Sequence, residues 1–308
     1  MQTRPLGRTG LNVPVLAFGA SPLGGVFGPV PEDACMRAVH RALELGVCYF
    51  DTSPFYGATR SERMLGRALR HVPRDRYLLS TKVGRYGEHD FDFRGERVAS
   101  SLAESQERLG VDRFDIVFCH DIEFGDPDQI TGETLPALGD ARAAGITAAT
   151  GVSGYPLPVL RAAVARGEPD VVLSYCHYAL FNTSLRDDAE FFAERGVGLI
   201  NASPLGMGLL TRAGPPAWHP ASERLRDVCR RAGELCRRAG LDLADQALAF
   251  ALEGPAATTL IGMASPEVLE RNAARTQSPP DVLDEVRSLF DTLPEADRGW
   301  RSGGLGHE

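Results

Sequence analysis

The stretch Val47-Cys48-Tyr49-Phe50-Asp51-Thr52-Ser53-Pro54-Phe55-Tyr56-Gly57 decides how this chain is read. Its first four residues carry apolar or aromatic side chains and predict a buried strand. They run straight into an aspartate, a Ser-Pro turn and a tyrosine beside a glycine. In parallel α/β folds the C-terminal ends of strands face the active-site mouth, so ionisable residues there point to chemistry. Two more predicted strands end in the same way. Tyr77-Leu78-Leu79-Ser80-Thr81 ends on Lys82, and Phe114-Asp115-Ile116-Val117-Phe118-Cys119 ends on His120. Asp51, Tyr56, Lys82 and His120 therefore stand at, or just beyond, three successive strand ends.

Upstream, residues 4–16 predict a short hairpin turning at Arg8-Thr9-Gly10, a lid over one end of the fold. Val15-Leu16-Ala17-Phe18 reads as a first buried strand, and the glycine-rich Gly19-Ala20-Ser21-Pro22-Leu23-Gly24-Gly25 follows it. From Pro31 the spacing of Val39, Ala42 and Leu43 predicts a helix that stops at Gly46. Downstream, Thr59 and Glu62 have the spacing of a capping box opening a helix through Met64, Leu65 and Leu69. The alternation then continues. A fifth strand is predicted to end at Gly151–Gly154, and further strands at Val171–Ser174, Gly198–Asn201 and Thr258–Ile261, with a proline-rich loop from Pro204 to Pro220 and a polar tail from Asp297. Eight short buried strands alternating with helices, without a break in composition, predict a (β/α)₈ TIM barrel with an N-terminal β-hairpin. It is expected to be one domain over residues 1–308. A doubly wound sheet is the alternative, but no G-x-G-x-x-G follows the first strand.

The chain has 308 residues, 43% of them hydrophobic and 24% charged, enough to bury a large core. A net charge of −8 argues against nucleic-acid or anionic-membrane partners. No apolar run approaches a membrane span. Met1-Gln2-Thr3-Arg4-Pro5 lacks the apolar core of a signal peptide, and six scattered cysteines read as reduced, buried thiols. A cytoplasmic protein, monomeric or a small homo-oligomer, is expected.

The four strand-end residues form a proton-transfer device. A phenol with a pKa near ~10 is a poor acid or base at neutral pH. A lysine ammonium beside it favours the phenolate, and an aspartate keeps that lysine charged and fixed. A histidine on the opposite wall can hydrogen-bond the substrate oxygen. Such a set suits interconversion of a carbonyl and an alcohol, as hydride transfer requires. No metal site is expected, because His120 and Asp121 lack the ligand spacing of zinc motifs.

Phe50–Gly57, Ser80-Thr81-Lys82 and the His120 strand end resemble the aldo-keto reductase superfamily, and the resemblance covers nearly the whole chain. It implies a (β/α)₈ barrel, an Asp-Tyr-Lys-His tetrad and a nicotinamide cofactor held without a Rossmann fold. Four more stretches are similar to the aldose 1-dehydrogenase branch, which includes L-galactose and D-threo-aldose (L-fucose) dehydrogenases. They are Gly19–Gly24, Cys119–Gly125, Leu173–Tyr178 and Gly214–Pro220. The resemblance makes Tyr56 the general acid/base, Lys82 and Asp51 its tuners, and His120 the group orienting the substrate. It places Ser153 against the nicotinamide carboxamide, with Gly154 where an asparagine is usual. Ser174 falls where a glutamine commonly reaches the same amide. Ser203, Pro204, Leu205 and Gly208 match the pyrophosphate loop, and Ala202 replaces a ring-stacking tyrosine. Gly262 and Val268 stand where phosphate-clamping lysine and arginine are usual, and Asn272 matches the residue that reads the adenine.

The combined reading is oxidation of an aldose, such as L-galactose or L-fucose, at C1 to the lactone. NAD is the expected cofactor, with NADP as the alternative. Phe55, Tyr86, Asp121, His177 and Trp218 are candidate substrate-pocket residues. Rival readings are an NAD(P)H-dependent aldehyde or ketone reductase, a pyridoxal-type dehydrogenase, and a cofactor-binding, redox-sensing regulatory subunit. The intact tetrad counts against the last.

Overall fold

Among the described residues, eight of the ten strands follow one another, with helices between them, in an order that closes the sheet on itself. The structure, a computed structural model, describes residues 1–274 and 280–302. Strands β1 (Thr3–Pro5) and β2 (Asn12–Pro14) pair antiparallel as the N-terminal hairpin. The barrel is built from β3 (Leu16–Gly19), β4 (Tyr49–Asp51), β5 (Leu78–Val83), β6 (Phe114–Cys119), β7 (Thr147–Gly154), β8 (Val171–Tyr175), β9 (Gly198–Ala202) and β10 (Thr258–Gly262). Neighbours in sequence are neighbours in space, every pair is parallel, and β10 closes onto β3. Helices cover the outside, so the strands are buried on both faces and read as near-continuous apolar runs.

The period of two along each strand sorts these residues into two cores. Leu16, Phe18, Phe50, Leu79, Val117, Val152, Val172 and Leu199 point outward and pack beneath the helices. Ala17, Tyr49, Ile116, Phe118, Ala149, Val171, Leu173, Ile200 and Leu260 fill the barrel interior. The hairpin closes the N-terminal end. Leu6 and Val13 are fully buried in the inner core, and Gly7 (φ +51) passes so close to β9 that a Cβ would lie 2.3 Å from the Gly198 nitrogen. The opposite end, where Asp51, Lys82 and His120 emerge, is left for the site.

One expectation fails. Thr59 and Glu62 do not form a capping box. Thr59 has φ 71°, in the left-handed region, and its side chain caps nothing. Glu62 is fully buried instead, accepting from Thr81 Oγ1 at 2.6 Å and Arg108 Nε at 2.5 Å. Its carboxylate ties the helix Arg60–Leu69 to β5 and to the helix Gly95–Leu109, contacts worth more to a buried charge than its own helix end. The glycine-bearing end of the polar tail lies outside the described residues.

Candidate active site

The site is assembled from β4 and β5 by their shared register. Asp51 pairs with Ser80 across the two strands, so the period of two places Tyr49 below Asp51 and Ser80 below Lys82 on the inner face. These side chains form one buried polar column. Tyr49 OH lies 3.0 Å from Ser80 Oγ, which donates to Asp51 Oδ1 at 2.7 Å. Asp51 Oδ2 accepts from Lys82 Nζ at 2.6 Å, and the ammonium also donates to the Thr52 carbonyl at 2.8 Å. Burial works against the Lys82 charge, but Asp51 and Tyr56 outweigh it and the ammonium is held more tightly than usual.

The tight turn after β4 carries Tyr56 across the mouth, its ring centroid 4.7 Å from Lys82 Nζ. Loss of solvation pushes the phenol up to about 12, and the Lys82 charge is the main force opposing it. Lysine proximity alone therefore does not make this phenol acidic. His120 stands at right angles to Tyr56, with centroids 5.6 Å apart and planes at 89°. It is buried, and burial with the charges of Lys82 and Arg85 holds it well below the ordinary histidine range. The imidazole is neutral at physiological pH.

A second charged pair borders the first. Arg85 Nη1 donates to Asp121 Oδ2 at 2.6 Å, and the guanidinium lies 3.8 Å from the Phe55 ring centroid. Burial raises the Asp121 carboxyl and Arg85 pulls it back. Beyond it Glu123 is buried with one oxygen accepting the Tyr155 N–H at 3.1 Å and the other unpartnered. Desolvation and the neighbouring Asp121 push Glu123 up to about 8. Tyr155 in turn contacts Tyr175, His177 and Trp300, forming an aromatic wall on the far side.

Residues 15–290 match the aldo/keto reductase family. The chain belongs to the aldo-keto reductase family. It is 44% identical to an L-galactose dehydrogenase of Arabidopsis thaliana over 98% of both chains. It is 30% identical to a D-threo-aldose 1-dehydrogenase of a Pseudomonas species, covering 93% of this chain and 95% of that one. Among solved structures, a holo-form aldo-keto reductase of Bacillus halodurans superposes with a TM-score of 0.79 at 24% identity. That match covers 97% of this chain and 100% of the other, and supports the fold. As a member of this family the chain is an oxidoreductase acting on CH–OH groups with a nicotinamide cofactor.

The residues present fit such a cofactor. Asn272, on the helix Pro266–Ala274, is buried with its Nδ2 donor unpartnered, a group that a heteroaromatic acceptor would satisfy. Gly262 is exposed, and a Cβ there would lie 2.9 Å from the Pro22 ring. After β9 the loop takes left-handed backbone at Ser203 (φ 55°) and Met207 (φ 49°) and at Gly208 (φ 107°), bringing Pro204 and Leu205 to the same end of the barrel. Ser153 is buried, its Oγ 3.4 Å from the Asp121 nitrogen and 3.5 Å from the Cys119 carbonyl. Ser174 is fully buried, 3.2 Å from His177 Nδ1.

The substrate candidates divide. Phe55 and Asp121 flank His120, and His177 joins the aromatic wall. Tyr86 is held by its own loop and by the neighbouring helix. Its hydroxyl accepts the Gly84 N–H at 3.3 Å, and Arg97 from the helix Gly95–Leu109 lies over its ring. Trp218 is 53% exposed and leans on Phe27, 6.1 Å away, rather than lining an enclosed pocket. The sequence reading passed over Tyr49, Ser80, Arg85, Glu123 and Tyr155. Alternation along β5 would have placed Ser80 beneath Lys82; the others lie on loops, or in a strand position that reads as apolar.

Proposed function

We propose that this chain acts as one catalytic unit oxidising the anomeric C1 hydroxyl of an aldose to the lactone, with NAD as hydride acceptor. The observation that carries the reading is the convergence of the buried Asp51–Lys82 pair, Tyr56 and neutral His120 beside the Arg85-held Asp121. The two dehydrogenase relatives, one of L-galactose and one of D-threo-aldoses, support a sugar of this class. When bound, the oxidised nicotinamide supplies a hydride acceptor.

Lys82, held in place by Asp51 and the Thr52 carbonyl, stabilises the Tyr56 phenolate, which takes the C1 hydroxyl proton and becomes the neutral phenol. His120 donates an N–H to the same substrate oxygen and fixes its orientation. Asp121 Oδ2 is taken by Arg85, while its other oxygen is left to accept a sugar hydroxyl. Phe55 offers an apolar face beside it. Tyr175 pairs in register with Ala202, so it provides aromatic surface next to the position where a stacking side chain is missing.

A screen of aldoses with NAD and NADP, read as nicotinamide reduction, tests the substrate class. L-Galactose, L-fucose or a stereochemical relative should be turned over, whereas turnover of simple aldehydes alone would refute the reading. Tyr56→Phe should lower kcat by ~10²–10⁴-fold, while cofactor affinity by fluorescence titration stays within a few-fold. A variant keeping more than about a tenth of wild-type turnover would remove Tyr56 from the proton-transfer role.

A further inference from the structure

A neutral imidazole carries its one N–H on either ring nitrogen, and only the nitrogen facing the mouth can serve a substrate. The partner on the other side decides which. Ser53, in the turn after β4, is fully buried, and its Oγ lies 3.0 Å from His120 Nδ1. The same oxygen already accepts the Phe55 N–H at 3.1 Å. One of its two lone pairs is thus occupied, and its own proton still needs an acceptor. His120 Nδ1 is the one acceptor the structure places within reach among the described residues. With the hydroxyl donating to Nδ1, the ring proton must sit on Nε2.

The other face of the ring agrees. Nε2 lies 3.5 Å from Asp121 Oδ2, an oxygen held by Arg85 at 2.6 Å. In the opposite tautomer the Nε2 lone pair would face that carboxylate, and the Ser53 hydrogen would be buried without an acceptor. In the favoured tautomer an N–H faces it attractively. At 3.5 Å the contact is too long to be a good hydrogen bond, so the N–H stays free for a substrate oxygen. Phe55 and Tyr56, with centroids 5.9 Å and 5.6 Å from the imidazole, meet it edge to face and fix its plane.

We infer that Ser53 is a positioning residue that sets the Nε2–H tautomer of His120, acting on the reaction through the histidine without touching the reacting atoms. The inference rests on the reading of His120 as the donor to the substrate oxygen, and its test separates the two.

The experiment is ¹⁵N NMR of histidine-labelled full-length protein near neutral pH. A His120→Asn spectrum identifies the His120 signals among the seven histidines. Wild type should show His120 protonated at Nε2 and bare at Nδ1. Finding it protonated at Nδ1 would overturn the inference without any variant being needed. Ser53→Ala should populate the other tautomer and lower kcat by at least about tenfold, with KM and cofactor affinity little changed. Ser53→Thr, which keeps the hydroxyl, should restore Nε2–H and most of the rate. An Ala variant that keeps a pure Nε2–H signal and wild-type kcat would sink the role of Ser53. A shifted tautomer with unchanged kcat would uphold the action of Ser53 on the ring and instead remove His120 as the substrate donor.

Discussion

At the level of single residues, the proposed role of Tyr56 as base makes the balance around its phenol the control on how the rate responds to pH. Burial outweighs Lys82, so the phenol of the free protein titrates at about 12 and is protonated at neutrality. Oxidation needs the deprotonated oxygen, and kcat/KM reports the free protein. It should therefore climb steadily from pH 7 to pH 10, with log kcat/KM rising by about one per pH unit while chemistry limits the rate. A flat profile with a full isotope effect on the transferred hydride would contradict this. Glu123 provides a second titration with a stability readout. Its folded-state value of about 8 exceeds the ordinary 4.5, so the folded chain holds this proton more tightly than the unfolded one. The stability it confers is complete below about pH 4.5 and is lost as pH rises through about 8. Glu123→Gln keeps an acceptor for Tyr155 N–H without the ionisation. Its Tm relative to wild type should rise between pH 5 and pH 9, and a difference independent of pH would show that Glu123 is not buried as a neutral acid. Nothing in the local sequence announces this group: Glu123 follows His120 by three residues, and only the packing of β7 against its loop buries it. Lys82 was legible because it ends a predicted strand, and Tyr56 because it closes the short turn after one.

At the level of elements, strand positions were readable because buried parallel strands are unbroken apolar runs, and each polar terminus then marks the barrel mouth. The N-terminal hairpin was also legible, from its turn residues. Its energetic weight was not, because that depends on what Leu6 meets across the barrel axis. Leu6 sits in the inner core with Val13, Ala17, Tyr49 and Leu260, at the end remote from Asp51 and Lys82. Leu6→Ala should cost ~2–5 kcal/mol of stability by denaturant titration, as other buried leucines do. Turnover of the folded fraction should stay near wild type. A large fall in kcat with unchanged stability would mean that the hairpin communicates with the mouth rather than merely closing the base. The helix after Tyr56 shows the reverse failure. A Thr-x-x-Glu spacing is a genuine start signal in isolation, but the Glu62 carboxylate meets Arg108 and Thr81 and is drawn away from its own helix end.

At the level of the whole molecule, the open choice is between the two nicotinamide dinucleotides. A 2′-phosphate adds up to two negative charges and normally needs a guanidinium or ammonium fork. The stretch after β10 offers little. Gly262 and Val268 are exposed without charge, and Glu267 and Glu270 are exposed acids. Among the described residues, the cations close by are engaged. Arg271 Nε lies 3.5 Å from Asp245 Oδ1, and Arg41 bonds Glu270 at 2.7 Å and Glu44 at 2.7 Å. Arg37, on the same helix as Arg41, pairs with Asp33 at 2.5 Å. The surplus of acidic residues, giving a net charge of −8, adds a long-range field of the wrong sign for a phosphate. Each missing charge-assisted hydrogen bond is worth about 1.5–3 kcal/mol, so kcat/KM should favour NAD over NADP by ~10-fold or more. The preference should narrow as ionic strength rises, because the repulsive share is screened. Equal kcat/KM for the two cofactors on one sugar at low salt, or a preference for NADP, would show that Arg271 or Arg37 leaves its carboxylate to take the phosphate.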